Sequence, residues 1–202
     1  MRVGFVGLGI MGNPMCKHIL KAGSELSVNA LDEKVVQEFV ALGANCGSYA
    51  DLGKECDVVM VMVPTGAISK EVMFGENGVA STAKPGTVLV DLSSVTPIES
   101  QECYKLAKEK GLMFLDAPVS GGEPKAVDGT LATMVGGDQE AFDIAKPVLD
   151  AFSSSVLLVG DSGAGSTAKL VNQIIVNNNI AIVGEAFTFA AKTGVDPVKV
   201  YE

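Results

Sequence analysis

Gly4-Phe5-Val6-Gly7-Leu8-Gly9-Ile10-Met11-Gly12 lies at the start of the chain and decides how the rest is read. A short apolar run ends in three glycines at the spacing Gly7-x-Gly9-x-x-Gly12. A strand that turns at once into a helix needs glycine at these points. Gly7 allows the tight turn, Gly9 lets a pyrophosphate come up to the backbone, and Gly12 lets the helix lie close on the strand. The first N–H groups of the helix then face the phosphates. The motif alone is a weak signal, but its context fits: a helical pattern of Met15, Ile19 and Leu20 follows, then a second apolar strand over residues 26–30. A signal peptide fits badly, because glycines and Asn13-Pro14 break the apolar run. Gly7, Leu8, Gly9, Ile10, Met11 and Gly12 are therefore the expected dinucleotide-binding residues.

With 202 residues, one full domain plus part of another is expected, and a hydrophobic content of 48% supplies a sizeable core. The net charge of −9 argues against sequence-independent binding to nucleic acid or to an anionic membrane. An anionic cofactor can still bind, since local backbone dipoles outweigh a diffuse surface charge. Cys16, Cys46, Cys56 and Cys103 are widely spaced and form no metal pattern, which reads as a reduced, cytoplasmic protein without a bound metal. No apolar run looks long and uninterrupted enough to span a bilayer. The single histidine, His18, falls inside the first helix and reads as a surface or packing residue rather than a catalytic base.

Strand-like runs at 3–6, 26–30, 58–63, 87–91, 113–116, 131–135 and 155–159 alternate with helical patterns at 12–22, 33–42, 68–72, 97–110 and 139–152. Strands separated by helices imply βαβ units and a doubly wound, largely parallel Rossmann-type α/β sheet. The run Val58-Val59-Met60-Val61-Met62-Val63 suits a strand buried on both faces. After Gly160 the pattern changes. A long helix is expected over 167–192, apolar around most of its circumference and so in need of a partner element or subunit. Gly194 ends it, and Asp196-Pro197 reads as the cap and first turn of another helix. The expected organisation is a dinucleotide-binding domain over 1–162, with 163–202 forming a long interdomain helix and the start of a truncated, all-helical second domain.

Four motifs resemble the β-hydroxyacid dehydrogenase family. They are Gly7-Leu8-Gly9-Ile10-Met11-Gly12, Asp91-Leu92-Ser93-Ser94-Val95-Thr96-Pro97, Asp116-Ala117-Pro118-Val119-Ser120-Gly121-Gly122, and Gly163-Ala164-Gly165-Ser166-Thr167-Ala168-Lys169-Leu170-Val171-Asn172-Gln173. The resemblance covers the whole chain. It implies reversible hydride transfer between a nicotinamide cofactor and a small 3-hydroxy acid or semialdehyde. Glu123-Pro124-Lys125-Ala126, Asp128-Gly129-Thr130-Leu131 and the ending Asn172-Gln173 point within the family to reduction of tartronate semialdehyde (2-hydroxy-3-oxopropionate) to glycerate. Oxidation of 3-hydroxyisobutyrate or a related 3-hydroxy acid is the alternative. The family's chain is longer by a helical portion that supplies another lysine near the cofactor and much of the subunit contact. A homo-oligomer formed through that portion and the long helix is therefore implied, with weak catalysis by residues 1–202 alone.

The resemblance makes Lys169 the general acid in reduction and base in oxidation. The residues support that role independently. Lys169 falls in the first turns of the long helix, where the positive helix end and partial burial both lower an ammonium pKa. Against this stands the ordinary reading of a solvated surface lysine. Asn172 and Gln173, three and four residues on, share its helix face and could hold Lys169 or the substrate. Ser120, Gly121 and Gly122 combine a hydroxyl with closely spaced backbone N–H groups, a cradle for the substrate carboxylate; a plain Gly-rich turn is the alternative. The family places Val63 and Pro64 against the cofactor and Thr96 on its nicotinamide side, although Thr96 also reads as the N-cap of the helix starting at Pro97.

One departure concerns the cofactor. An acid is expected at the end of the second strand to bind the ribose hydroxyls of NAD. Ala30 stands there, with Asp32 two residues late and no arginine for NADP. The choice between NAD and NADP stays open, and the lack of a basic residue tips it to NAD. Two further classes compete with the enzyme: a non-catalytic dinucleotide-binding module and an oligomerisation fragment built on the long helix.

Overall fold

The strands form where β-branched and apolar residues run without interruption, and the helices form where those residues recur every three or four positions. The computed structural model describes residues 1–202. The first unit runs β1 (Arg2–Val6), α1 (Gly12–Lys21), β2 (Glu25–Asn29), α2 (Glu33–Ala41), β3 (Asn45–Cys46), α3 (Tyr49–Glu55), β4 (Val58–Val61), α4 (Gly66–Phe74), β5 (Val88–Asp91), α5 (Pro97–Glu109), β6 (Met113–Asp116), β7 (Val119–Ser120), α6 (Gly122–Asp128), β8 (Leu131–Gly137), α7 (Gln139–Leu149) and β9 (Ser153–Gly160). The nine strands make one sheet in the order β3-β2-β1-β4-β5-β6-β8-β7, with β9 on β8. Pairing from β3 through β6 is parallel, which requires the helical crossovers between them. β8 runs antiparallel to β6 and β7, and β9 parallel to β8.

The central strands β1, β4, β5 and β6 are buried on both faces, and side chains alternate between them as the pleat demands. Phe5, Met60, Val90 and Leu115 point to the face covered by Met15 and Ile19 of α1, Phe39 of α2 and Phe142 and Leu149 of α7. Val59, Val61, Leu89 and Phe114 point to the other, against Leu52 of α3, Val72 and Met73 of α4 and Cys103 and Ala107 of α5. The whole of β4 is buried, as its unbroken apolar run requires. His18 serves packing: its Nε2 lies 2.9 Å from the Val127 carbonyl oxygen, tying α1 to α6.

The structure adds five short elements that periodicity does not reveal: β3, α3, β7, α6 and a 3-10 turn at Val79–Ser81, of two to seven residues each. They are too short to show a period. α3 is instead set by a capping box in which the Ser48 hydroxyl accepts the Asp51 N–H while Asp51 accepts the Ser48 N–H. β4 stops at Val61 rather than Val63, because the Val63 N–H turns out of the ladder to donate to Ser93 Oγ (3.0 Å).

The chain divides into two compact units, Met1–Lys169 and Leu170–Glu202. Helix α8 (Ala164–Lys192) begins three residues before the expected start and contributes its first turn and a half to the sheet unit. In the second unit α8 continues and α9 (Pro197–Tyr201) follows, capped by Asp196, whose Oδ1 accepts the Val198 N–H at 3.0 Å. Ile174, Ile175, Ile180, Ile182, Val183 and Phe189 of α8 are exposed. The expectation that no segment could span a bilayer needs correction. α8 is long and apolar enough to do so by length and composition, with 29 residues and a mean hydropathy of 1.3 in its most apolar window. Asn172 and the run Asn177-Asn178-Asn179 interrupt the apolar pattern in the sequence, but none of them carries a charge.

Candidate functional site

The site is assembled from loops that leave the C-terminal ends of the parallel strands, the edge at which open α/β sheets bind ligands. After β1, Gly7 takes a positive φ of 102° and donates its N–H to the Asn29 carbonyl at 2.9 Å. A Cβ on Gly7 would run into the Met62 carbonyl oxygen, and one on Gly12 into the Gly7 carbonyl oxygen. These two glycines therefore serve the turn and the close packing of α1. A Cβ on Gly9, by contrast, meets no atom within 4 Å. Nothing inside the protein requires glycine there, and the space a side chain would take is open to a ligand. No side chain caps α1 and its first turn holds no acid. The Asn13 N–H is taken by the Gly9 carbonyl (2.9 Å) and Pro14 has none, so it is the positive dipole end and the N–H groups of the loop up to Gly12 that face a ligand. The residues present fit a dinucleotide pyrophosphate. A cavity of about 560 Å³ opens beside this loop, lined by Leu8, Gly9 and Ile10, by Lys17 and Lys21 of α1, and by Glu123 of α6. It reaches neither Ser120 nor Lys169.

At the end of β2 the polar groups are already engaged. Asn29 Nδ2 donates to the Gly47 carbonyl (2.7 Å), and Asp32 Oδ1 accepts the Lys34 N–H (3.0 Å) as the cap of α2. Ala30 is half-buried and Leu31 is fully exposed between them.

Val63 and Pro64 follow β4, next to the turn after β1. Thr96 follows β5 and caps α5: its N–H and hydroxyl both donate to Glu99 Oε2 (2.8 Å each), and its Oγ1 accepts the Glu99 N–H (3.3 Å). With its proton committed to Glu99, the Thr96 hydroxyl can meet a ligand only as an acceptor. Ser120 closes β7, and Gly121 and Gly122 both take positive φ, at 136° and 66°, to turn the chain into α6.

Lys169 is 9% exposed, and no carboxylate pairs with it. Burial lowers its pKa from the ordinary lysine value. A solvated surface lysine is thereby excluded, and the cost of holding an unpaired ammonium there is what depresses the pKa. Asn172 and Gln173 lie three and four residues further along α8, in the second unit. The sheet unit thus gathers the phosphate loop, Val63, Pro64, Thr96, the Ser120 turn and Lys169 at one edge.

Sequence reasoning missed two acids at that edge. Asp91 ends β5 and Asp116 ends β6, opposite each other in the ladder. Asp91 Oδ1 accepts the Ser93 N–H (2.9 Å) and Oδ2 accepts the Ser69 hydroxyl (2.7 Å). Asp116 accepts the Gly163 N–H (2.7 Å) and the Ser166 N–H (2.8 Å). Burial raises both pKa values, that of Asp116 to about 6. The available signal was an aspartate closing each apolar strand.

A glycine turn into an uncapped helix, at the C-terminal edge of a doubly wound sheet, defines a dinucleotide-binding protein of Rossmann type. Comparison with known proteins narrows this. Residues 2–160 match the family profile described as the NAD binding domain of 6-phosphogluconate dehydrogenase. Residues 163–202 match that described as NAD-binding of NADP-dependent 3-hydroxyisobutyrate dehydrogenase. The chain is 43% identical over 201 residues to the 2-hydroxy-3-oxopropionate reductase of Escherichia coli (strain K12), covering 99% of this chain and 68% of that protein. It is 37% identical over 196 residues to the mitochondrial 3-hydroxyisobutyrate dehydrogenase of Rattus norvegicus, covering 96% and 58%. Among solved structures, the Mycobacterium tuberculosis 3-hydroxyisobutyrate dehydrogenase with L-serine superposes with a TM-score of 0.89 at 33% identity, over 96% of this chain and 66% of that one. The chain belongs to the β-hydroxyacid dehydrogenase family, in its 3-hydroxyisobutyrate dehydrogenase-related part. It spans about two thirds of the length of its bacterial relatives.

Proposed function

We propose that this protein interconverts a small 3-hydroxy acid and its semialdehyde, with reduction of tartronate semialdehyde to glycerate as the leading reaction. The observation that carries the proposal is Lys169: buried, unpaired, lowered in pKa and set at the ligand-binding edge of the sheet. A bound nicotinamide supplies the hydride chemistry. The chain's own work is to hold that group and to move one proton. The loop Gly7, Leu8, Gly9, Ile10, Met11 and Gly12 grips the pyrophosphate through backbone N–H groups, and Val63, Pro64 and Thr96 hold the nicotinamide end. Ser120, Gly121 and Gly122 bind the substrate carboxylate. Lys169 gives its proton to the carbonyl oxygen in reduction and takes it back in oxidation, a role suited to an ammonium whose pKa burial lowers below the ordinary lysine value. Asn172 and Gln173 orient Lys169 or the substrate.

A second reading, oxidation of 3-hydroxyisobutyrate, is supported by the 37% identity to the rat enzyme. NAD is the favoured cofactor, because the end of β2 offers a ribose 2′-phosphate no cation and the nearby Asp32 would repel it. We assign residues 1–162 to the cofactor domain and 163–202 to an interdomain helix leading into a second helical domain. The match of residues 163–202 to a dehydrogenase family profile supports this over a membrane span for α8. On this reading the exposed apolar side chains of α8 are covered by further helices and a second subunit, the protein is cytoplasmic, and residues 1–202 alone catalyse weakly. Turnover of tartronate semialdehyde and 3-hydroxyisobutyrate with each cofactor tests the proposal. Binding of cofactor without turnover of any 3-hydroxy acid would leave only a binding module.

A further inference from the structure

The proposed chemistry leaves Asp91 and Asp116 without a task, although they are 2% and 0% exposed and lie side by side at the site's edge of the sheet. Neither has a cationic partner. A dry, unpaired carboxylate is costly unless hydrogen bonds compensate it, so its bonds indicate its use. Asp116 directs both oxygens at the start of α8. Oδ1 accepts from Gly163 N and Oδ2 from Ser166 N, donors that the helix cannot satisfy itself. Ser166, itself buried, shares a 2.9 Å hydrogen bond with the Ser100 hydroxyl on α5, and Ser100 Oγ also lies within hydrogen-bonding distance, 3.3 Å, of the Thr96 carbonyl. Small residues make room for this arrangement. A Cβ on Gly136 would press on Asp116 Oδ1, and a Cβ on Gly165 would press on the Asp116 and Met134 carbonyl oxygens.

One side chain thereby joins three parts of the site. Lys169 follows Ser166 by three residues, so the placement of the first turn of α8 sets where Lys169 stands. In the other direction, Asp116 leads through Ala117 and Pro118 into Val119 and Ser120. Through Ser166 and Ser100 the same network reaches the loop that carries Thr96. The two N–H groups reach two different oxygens, an arrangement that a carboxylate meets and an amide, with one accepting atom, does not.

We propose that Asp116 is a positioning residue for the reaction: it fixes the first turn of α8, and so Lys169, against the strand end that leads to Ser120, and through Ser166 and Ser100 against the Thr96 loop. The proposal rests on the reading of Lys169 as the proton-transfer group. Asp116→Asn tests it in the full-length protein, because the amide keeps the shape but points a donor at one of the two N–H groups. The folded variant should bind NADH with unchanged affinity, read by nicotinamide fluorescence, while kcat falls on the order of tenfold or more. In a Lys169→Ala background the same substitution should cost less than about twofold, since the residue it acts through is gone. The pH profile gives an independent readout. Burial holds the Asp116 carboxyl at about 6, with Asp91 facing it from β5 and raising it further. Protonation removes an acceptor, so wild-type kcat should fall below about pH 6 and the Asn variant should lack that limb.

A folded Asp116→Asn protein with wild-type kcat would overturn the proposal, as would equal losses in both backgrounds. Near-normal turnover of Lys169→Ala alone would instead overturn the underlying reading. If Asp116→Asn does not fold, Ser166→Ala severs the link to Ser100 while sparing the carboxylate. It should lower kcat about threefold or more at constant cofactor affinity, and an unchanged kcat would refute the network's role.

Discussion

Gly9 and Gly12 should separate cofactor binding from folding, although both belong to one motif. A Cβ at position 9 meets nothing within 4 Å, and Gly9 is not among the residues with positive φ. Gly9→Val therefore displaces no protein atom, and stability should change by less than about 1 kcal/mol, a shift of roughly 2–4 °C in Tm at most. The cost falls on the ligand. A branched side chain over the loop holds the pyrophosphate off the backbone N–H groups. Two charge-assisted hydrogen bonds at about 1.5–3 kcal/mol each amount to roughly 3 kcal/mol or more, on the order of a hundredfold in Kd. Gly12→Ala should behave in the opposite sense. Its Cβ collides with the Gly7 carbonyl oxygen and lies 3.1 Å from Phe5 Cε1. Overpacking of this kind costs about 1–3 kcal/mol and lowers Tm by several degrees. Thermal unfolding and NADH fluorescence titration of both variants provide the comparison. A Gly9→Val protein that unfolds as early as Gly12→Ala, yet binds cofactor normally when folded, would refute this division of roles.

Ser120→Ala should raise KM for the carboxylate substrate more than it lowers kcat, because a hydroxyl bound to the carboxylate acts away from the reacting carbon; a fall in kcat alone would move Ser120 to the reacting centre. Asp116 and Asp91 should make the fold less stable as pH rises. Their raised pKa values mean that the folded state binds protons more tightly than the unfolded chain, so this stability is present below the ordinary carboxylate value of 3.8 and is lost as pH rises toward about 6. Melting curves of wild type and Asp116→Asn from pH 4 to 7 should diverge in that direction, by an amount on the order of 2–3 kcal/mol; parallel curves would contradict the assignment. Residues 1–202 expressed alone should self-associate through the exposed Ile174, Ile180, Ile182 and Phe189 face of α8, and sedimentation that finds a monomer would contradict that.

The parts of this molecule that repeat were readable from its residues. Gly7-x-Gly9-x-x-Gly12, the unbroken run from Val58 and the alternation of runs located the parallel sheet, because burial on two faces leaves no polar position in a strand. What depends on long-range pairing was not readable. The antiparallel entry of β8 beside β6 rests on the Leu115–Gly137 and Asp116–Gly136 pairing across some twenty residues, and no local period encodes it. Helix α3 carried its signal in Ser48 and Asp51, a capping box rather than a period. At the site, the glycine loop and Lys169 were visible as motifs. The framing role of Asp91 and Asp116 was not, since an acid at a strand end gains meaning only when the backbone N–H groups it accepts are brought to it by the fold.

Turnover of Lys169→Ala and Lys169→Arg, with cofactor affinity measured on the same samples, tests the central claim most directly. Loss of the proton-transfer group should depress kcat on the order of a hundredfold or more while leaving NADH affinity nearly unchanged. Arginine should not restore turnover, because a guanidinium keeps its proton near neutral pH. Near-normal kcat in Lys169→Ala, with a folded protein and intact cofactor binding, would show that this buried lysine does not carry the proton.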